Sequence, residues 1–181
     1  EKWKNPSPEI PGIYQTPVQL AAALIYISRF RIGSYAEIGI FQGATFVFIS
    51  EYLRRFNPRI KCLGIDPSDY LHPEIRELIA GEEWMFCEKK TSDDFKGRPF
   101  DLVFIDGDHE NGWPVRDWEN LGKTAGICMV HDIQEPSCPA CIELWDSLRK
   151  TQGKSAVEFT DHHAPVPIQG IGILHNRGSN K

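Results

Sequence analysis

Short apolar runs alternate with segments of helical period along most of the chain, and no other feature constrains the fold as much. Strands joined through helices run parallel and are covered on both faces, so the pattern predicts an α/β domain. Residues 35–40, 60–65, 84–88, 100–105 and 126–130 read as strands, and 156–160 and 170–175 close the series. Helical spacing falls over residues 44–56, 73–80 and 114–121. After Pro139, the residues Cys141, Leu144, Trp145 and Leu148 lie at i, i+3, i+4 and i+7, one apolar helix face. An opening helix over 16–30 is predicted from Thr16 as its cap, Pro17 in its first turn and Gln19 completing a capping box. No helical pattern separates the last two strands, which are therefore expected to pair antiparallel at the side of a parallel sheet.

The chain shows no repeat and no low-complexity stretch, so 1–181 reads as one domain with the Pro-rich residues 1–15 as a lead-in. A chain of this length buries roughly two thirds of the surface it exposes when unfolded. No apolar run approaches the ~20 residues needed to cross a bilayer, which excludes a transmembrane protein. A net charge of −5 disfavours binding to a nucleic-acid backbone, which wants a basic face. The 5 cysteines are odd in number and lie mostly in apolar runs, which argues against a disulfide scaffold and for a reducing compartment. Cys138-Pro139-Ala140-Cys141 has redox or metal spacing, but Cys141 belongs to the helix face and no second pair completes a zinc site. Both read as core and loop cysteines. No signal-peptide pattern opens the sequence, and a cytoplasmic location is the expectation.

Open parallel sheets bind ligands beyond the carboxyl ends of their strands. Three strand ends here carry Asp66, Asp106 and Asp132, and the first strand ends in a glycine turn from Gly39 to Gly43. The Gly-x-x-x-Gly spacing is neither that of a dinucleotide fold nor that of a phosphate-binding loop, and taken alone it is a plain tight turn. Asp66, one strand further on, can accept both hydroxyls of a ribose; it reads equally as a solvated residue ahead of Pro67. A cationic ligand with a ribose and no phosphate suits a glycine turn among acids, and S-adenosylmethionine has that chemistry.

Residues Ala36-Glu37-Ile38-Gly39-Ile40-Phe41-Gln42-Gly43 resemble the first motif of class I S-adenosylmethionine-dependent methyltransferases. The segments Phe100-Asp101-Leu102-Val103-Phe104-Ile105-Asp106-Gly107-Asp108-His109 and Gly126-Ile127-Cys128-Met129-Val130-His131-Asp132-Ile133 are similar to one branch of them. That branch holds the small metal-dependent O-methyltransferases, with macrolide-sugar methyltransferases and cephalosporin-hydroxylase-like proteins. The resemblance covers about residues 15–175. It implies a Rossmann-like, seven-stranded, mostly parallel sheet with the last strand antiparallel and helices on both faces. It also implies that Glu37, Gly39 and Gly43 hold the methionine end of the cofactor, Asp66 its ribose, Thr91 its adenine and Asp108 its amino end, with Asp106 among the residues that bind it. The surroundings of Thr91 depart from the family's usual Gly-Asp-Ser.

In that branch a divalent cation sits at the strand-end acids, which here are Asp106 and the His131-Asp132 pair. Mg²⁺ prefers oxygen ligands, so His131 either ligates through nitrogen, favouring Mn²⁺, Fe²⁺ or Zn²⁺, or forms hydrogen bonds only. His109, three residues beyond Asp106, is the candidate catalytic base for a substrate hydroxyl, or else a residue that caps the next segment. His162 and His163 read as solvent-facing and Trp118 as core. The expected activity is methyl transfer to a hydroxyl oxygen of a small molecule. The rivals are a catalytically idle or regulatory cofactor-binding domain and a metal-free N-methyltransferase. The N-terminal segment offers a surface for packing on a neighbour in a homo-oligomer.

Overall fold

The computed structural model describes residues 12–152, 156–160 and 168–176. His162 and His163 lie outside the described residues. The elements follow in the order α1 (Pro17–Ile27), β1 (Ser34–Ile38), α2 (Ala44–Arg54), β2 (Lys61–Ile65), α3 (Pro73–Ala80), β3 (Met85–Glu88), β4 (Leu102–Ile105), α4 (Trp113–Asn120), β5 (Ile127–His131), α5 (Pro139–Gln152), β6 (Ala156–Phe159) and β7 (Ile171–His175).

The strands form one sheet in the order β3-β2-β1-β4-β5-β7-β6. The pairs β3–β2, β2–β1, β1–β4 and β4–β5 are parallel. β7 is antiparallel to both its neighbours and inserts between β5 and β6. Strand order reverses at β1, which lies between β2 and β4, and that reversal opens a crevice at the strands' carboxyl ends.

β4 and β5 read as continuous apolar runs because both faces of the sheet are covered and every one of their residues is buried. Leu102, Phe104, Ile127 and Met129 pack with Leu24 and Ile27 of α1 and with Phe46 and Ile49 of α2. Val103, Ile105, Cys128 and Val130 face the other way, towards Trp118 of α4 and Leu144 and Trp145 of α5. Trp118 is core, as its spacing predicts.

The capping box predicted at α1 does not form. Thr16 occupies the cap position without a side-chain cap bond. Its Oγ1 instead donates to Gln169 Oε1 at 2.6 Å, while Gln19 Oε1 accepts from the Gly170 amide at 2.9 Å. Pro17 already removes one of the orphan amides that a cap would satisfy, which leaves both polar side chains to tie α1 to the approach of β7. α1 also stops at Ile27, short of the predicted Phe30.

Candidate active site

The chain leaves β1 through a turn that only glycine can make. Gly39 has φ 87°, and a Cβ there would lie 2.2 Å from the Asp106 carbonyl oxygen and 2.3 Å from Gly107 Cα. Gly43, at φ 89°, starts α2, and a Cβ on it would meet Leu71 and Ile75. Between them the Phe41 amide donates to Asp66 Oδ2 at 2.9 Å, and the Ser68 amide donates to Asp66 Oδ1 at 2.8 Å. Burial raises the Asp66 carboxyl above its ordinary value although both amides pull it down. Asp66 lines a cleft of about 290 Å³ with Ile40, Phe41, Leu71, Cys87 and Glu88. The rings of Tyr14 and Tyr70 each pack against Phe41 at 5.6 Å centroid to centroid.

Across the crevice, the ends of β4 and β5 bring the other acids together. His131 is 4% exposed, and its Nδ1 donates to Asp106 Oδ1 at 2.9 Å and lies 3.3 Å from Asp132 Oδ2. Burial disfavours a charge on this imidazole, but the carboxylates of Asp106 and Asp132 outweigh it and lift its pKa to about 10. Burial likewise raises Asp132, and the hydrogen bond and charge of His131 reverse the effect, leaving its carboxyl below the ordinary value. Asp132 has φ 58°, the left-handed region, which a short polar side chain tolerates better than most. The remaining oxygen of Asp106 accepts from Gln15 Nε2 at 2.5 Å, and Gln15 Oε1 accepts from Thr45 Oγ1 at 2.7 Å.

His109 lies on the loop leaving β4. Its Nε2 is 3.3 Å from Asp132 Oδ2 but forms no aligned hydrogen bond. Its Nδ1 is 3.3 Å from the sulfur of Cys138, which in turn is 3.8 Å from Asp132 Oδ2. The structure thus gathers Asp106, His109, His131 and Asp132 into one cluster, with Asp66 on the far side of the glycine turn.

The other candidates lie around this centre. Glu37 is fully buried on β1, where the Tyr35 hydroxyl donates to Oε2 and Oε1 has no hydrogen bond. Burial raises its carboxyl well above the ordinary range. Asp108 is exposed and accepts from the Glu110 amide at 2.9 Å. Thr91 starts a 3₁₀ turn over Ser92–Phe95, its amide donating to Asp94 at 3.0 Å.

Two residues of the site were not predicted from the sequence. Gln15 sits in the polar lead-in yet reaches Asp106 across 91 positions. Cys138 is buried, as its reading as a core or loop cysteine requires, but its sulfur touches His109 and Asp132 rather than only apolar neighbours. Its place six residues after a strand-end acid and its spacing to Cys141 are the local hints.

A family model described as a methyltransferase domain matches residues 36–133, which span β1 to just beyond β5. No curated protein sequence matches the chain. Among solved structures, the O-methyltransferase TomG from Streptomyces achromogenes, in complex with SAM, superposes with a TM-score of 0.67 at 15% identity. That match covers 93% of this chain and 84% of the other. An O-methyltransferase from Bacillus cereus, in complex with SAH, gives a TM-score of 0.65 at 16% identity, covering 92% and 84%. The methyltransferase domain of bacterial CtHen1-C gives 0.63 at 9% identity, covering 88% and 97%. These likenesses establish the fold.

Proposed function

Because the chain belongs to the methyltransferase domain family, we propose that it transfers a methyl group from S-adenosylmethionine to a hydroxyl oxygen of a small molecule. The observation that carries this reading is the crevice itself, where Asp66 flanks the glycine turn on one side and Asp106, His109 and Asp132 stand on the other. TomG with SAM and the Bacillus cereus enzyme with SAH support the choice of cofactor and of oxygen as acceptor.

Each part of the crevice then has a task. The two carboxylate oxygens of Asp66, oriented by backbone amides, accept the ribose hydroxyls. Gly39 and Gly43 shape the turn that holds the methionine end, Gly39 packing on Asp106 and Gly107 and Gly43 on Leu71 and Ile75, and the orphaned Oε1 of Glu37 is the acceptor for its ammonium group. We assign Asp108 to the same amino end and Thr91 to the adenine, as the family resemblance implies. Asp106, His131 and Asp132 offer ligand atoms within 4.8 Å of one another, an oxygen and nitrogen donor set that fits a divalent cation. Such a cation, when bound, lowers the pKa of an acceptor hydroxyl. His109 accepts the proton as the hydroxyl oxygen attacks the methyl carbon. The free thiols suit the cytoplasm.

A second reading follows from His131. Held between two carboxylates, its imidazolium already places a positive charge where the cation would sit, and transfer would then need no metal. One experiment decides: calorimetry with S-adenosylmethionine, then mass-spectrometric turnover of a panel of hydroxylated small molecules with and without a chelator. Loss of turnover on chelation, restored by added metal, supports the cation reading; indifference to chelation supports the imidazolium. Cofactor binding with no turnover on any acceptor leaves an idle domain, and no cofactor binding ends the proposal.

A further inference from the structure

Two donor groups share Asp132, and they differ in how tightly they are bonded. In the inner group, Asp106 and His131 are knitted by a 2.9 Å hydrogen bond. In the outer group, Cys138 is buried and its sulfur lies 3.3 Å from His109 Nδ1. His109 keeps 24% of its side chain exposed, and its Nε2 faces the Asp132 carboxylate without a hydrogen bond. We propose that His109, Asp132 and Cys138 form a site for a borderline cation of the Zn²⁺ type, which shares Asp132 with the inner donor group and differs from it in its sulfur donor.

The spacing supports this. The outer contacts are 3.3 Å from sulfur to His109 Nδ1, 3.3 Å from His109 Nε2 to Asp132 Oδ2, and 3.8 Å from sulfur to the same oxygen. Ordinary zinc bond lengths in a tetrahedron put neighbouring ligand atoms about 3.4–3.6 Å apart. Closing the site therefore requires a turn of the His109 ring, to present one nitrogen, and small shifts of its neighbours. Two of the three donors come from well-held backbone. Asp132 is fixed in its left-handed conformation, and the Cys138 amide donates to the Glu135 carbonyl at 2.8 Å just before α5.

The donor set also selects the ion. A thiolate and an imidazole favour Zn²⁺ or Co²⁺ over Mg²⁺, whose oxygen preference the sulfur defeats. Three protein ligands leave a fourth tetrahedral position for water or an acceptor heteroatom. Cys141 is buried but does not bring its sulfur into the donor group of His109, Asp132 and Cys138. An ion held here engages His109, so the same imidazole cannot take a substrate proton while the site is loaded.

Co²⁺ alone, titrated into the reduced full chain, tests the proposal through the near-ultraviolet thiolate-to-cobalt charge-transfer absorption. The expected result is a band saturating at one equivalent, lost in Cys138→Ser and kept in Cys141→Ser. Zn²⁺ affinity should fall at least about tenfold in Cys138→Ser, as even loss of an outer-shell partner costs a metal site that much. His109→Ala, on an accessible loop, should show the same loss, and it keeps the test decisive if Cys138→Ser does not fold. Co²⁺ binding without the band, a band that survives Cys138→Ser, or unchanged Zn²⁺ affinity in His109→Ala overturns the site. Cofactor binding is measured separately: its absence would strike the methyl-transfer reading while the Co²⁺ band still stood.

Discussion

The two halves of the crevice are built by different means. On the Asp66 side the contacts are made by backbone amides. Ser68 lies two positions from the acid and Phe41 belongs to the turn of the adjacent strand. On the Asp132 side they are made by side chains that meet across 29 positions for His109 and Cys138 and 91 for Gln15 and Asp106. A half held by backbone geometry is ready as soon as its two strands pair, whereas a half held by side chains depends on the whole fold. On the proposed function, the first suits an invariant cofactor, and the second leaves room for the acceptor and an ion to differ.

Gly39 belongs to both halves, so changing it should do most. Gly39→Ala places a methyl 2.2 Å from the Asp106 carbonyl oxygen at a left-handed φ, and about 4 kcal/mol or more of stability should be lost in urea denaturation. A smaller loss would mean that the ends of β1 and β4 are not locked together. His109→Ala should strike one half alone, slowing turnover roughly 10²–10⁴-fold while calorimetry shows unchanged affinity for S-adenosylmethionine. Near-full turnover in that variant would make His109 structural.

The contrast also has a pH signature. The His131 pKa of about 10 in the fold exceeds the unperturbed value of about 6.5, so its ion pairs stabilise fully below about pH 6.5. That stabilisation is lost as pH rises through about 10, on the order of 3 kcal/mol for a buried pair losing one charge. Urea midpoints measured between those limits should fall, and His131→Gln should flatten the curve; a parallel fall in the variant would assign the effect to another group. Asp66→Ala should act on the other half only, weakening S-adenosylmethionine by about 1.5–3 kcal/mol with the metal response intact. The smallest effect belongs to Gln15→Ala, which frees one oxygen of Asp106 and should cost about 1 kcal/mol of stability. An unchanged melt would show that the lead-in does not brace the site.

Legibility in the sequence follows the same division. The parallel strands and their covering helices were readable because burial on both faces writes continuous apolar runs, as in Leu102–Ile105 and Ile127–His131. The strand-end acids were readable because each follows such a run. The insertion of β7 between β5 and β6 was not, since no local pattern states which neighbour a strand will choose. Thr16 and Gln19 carry the pattern of a capping box, yet tertiary contacts to residues 168–170 use the same atoms. Cys138 failed for a related reason: a buried thiol looks alike in sequence whether it faces leucine or histidine.

The place of β7 has a consequence for how the chain is made. β5, whose end carries His131 and Asp132, gains its second hydrogen-bonded neighbour only when residues 171–175 arrive, about forty positions later. While the ribosome works through that interval, β5 presents a bare apolar edge, the kind of surface that pairs with the wrong strand. The Asp132 half is thus the last part of the sheet to be sealed, and a chain cut before residue 171 would hold a finished Asp66 cleft beside an unfinished centre.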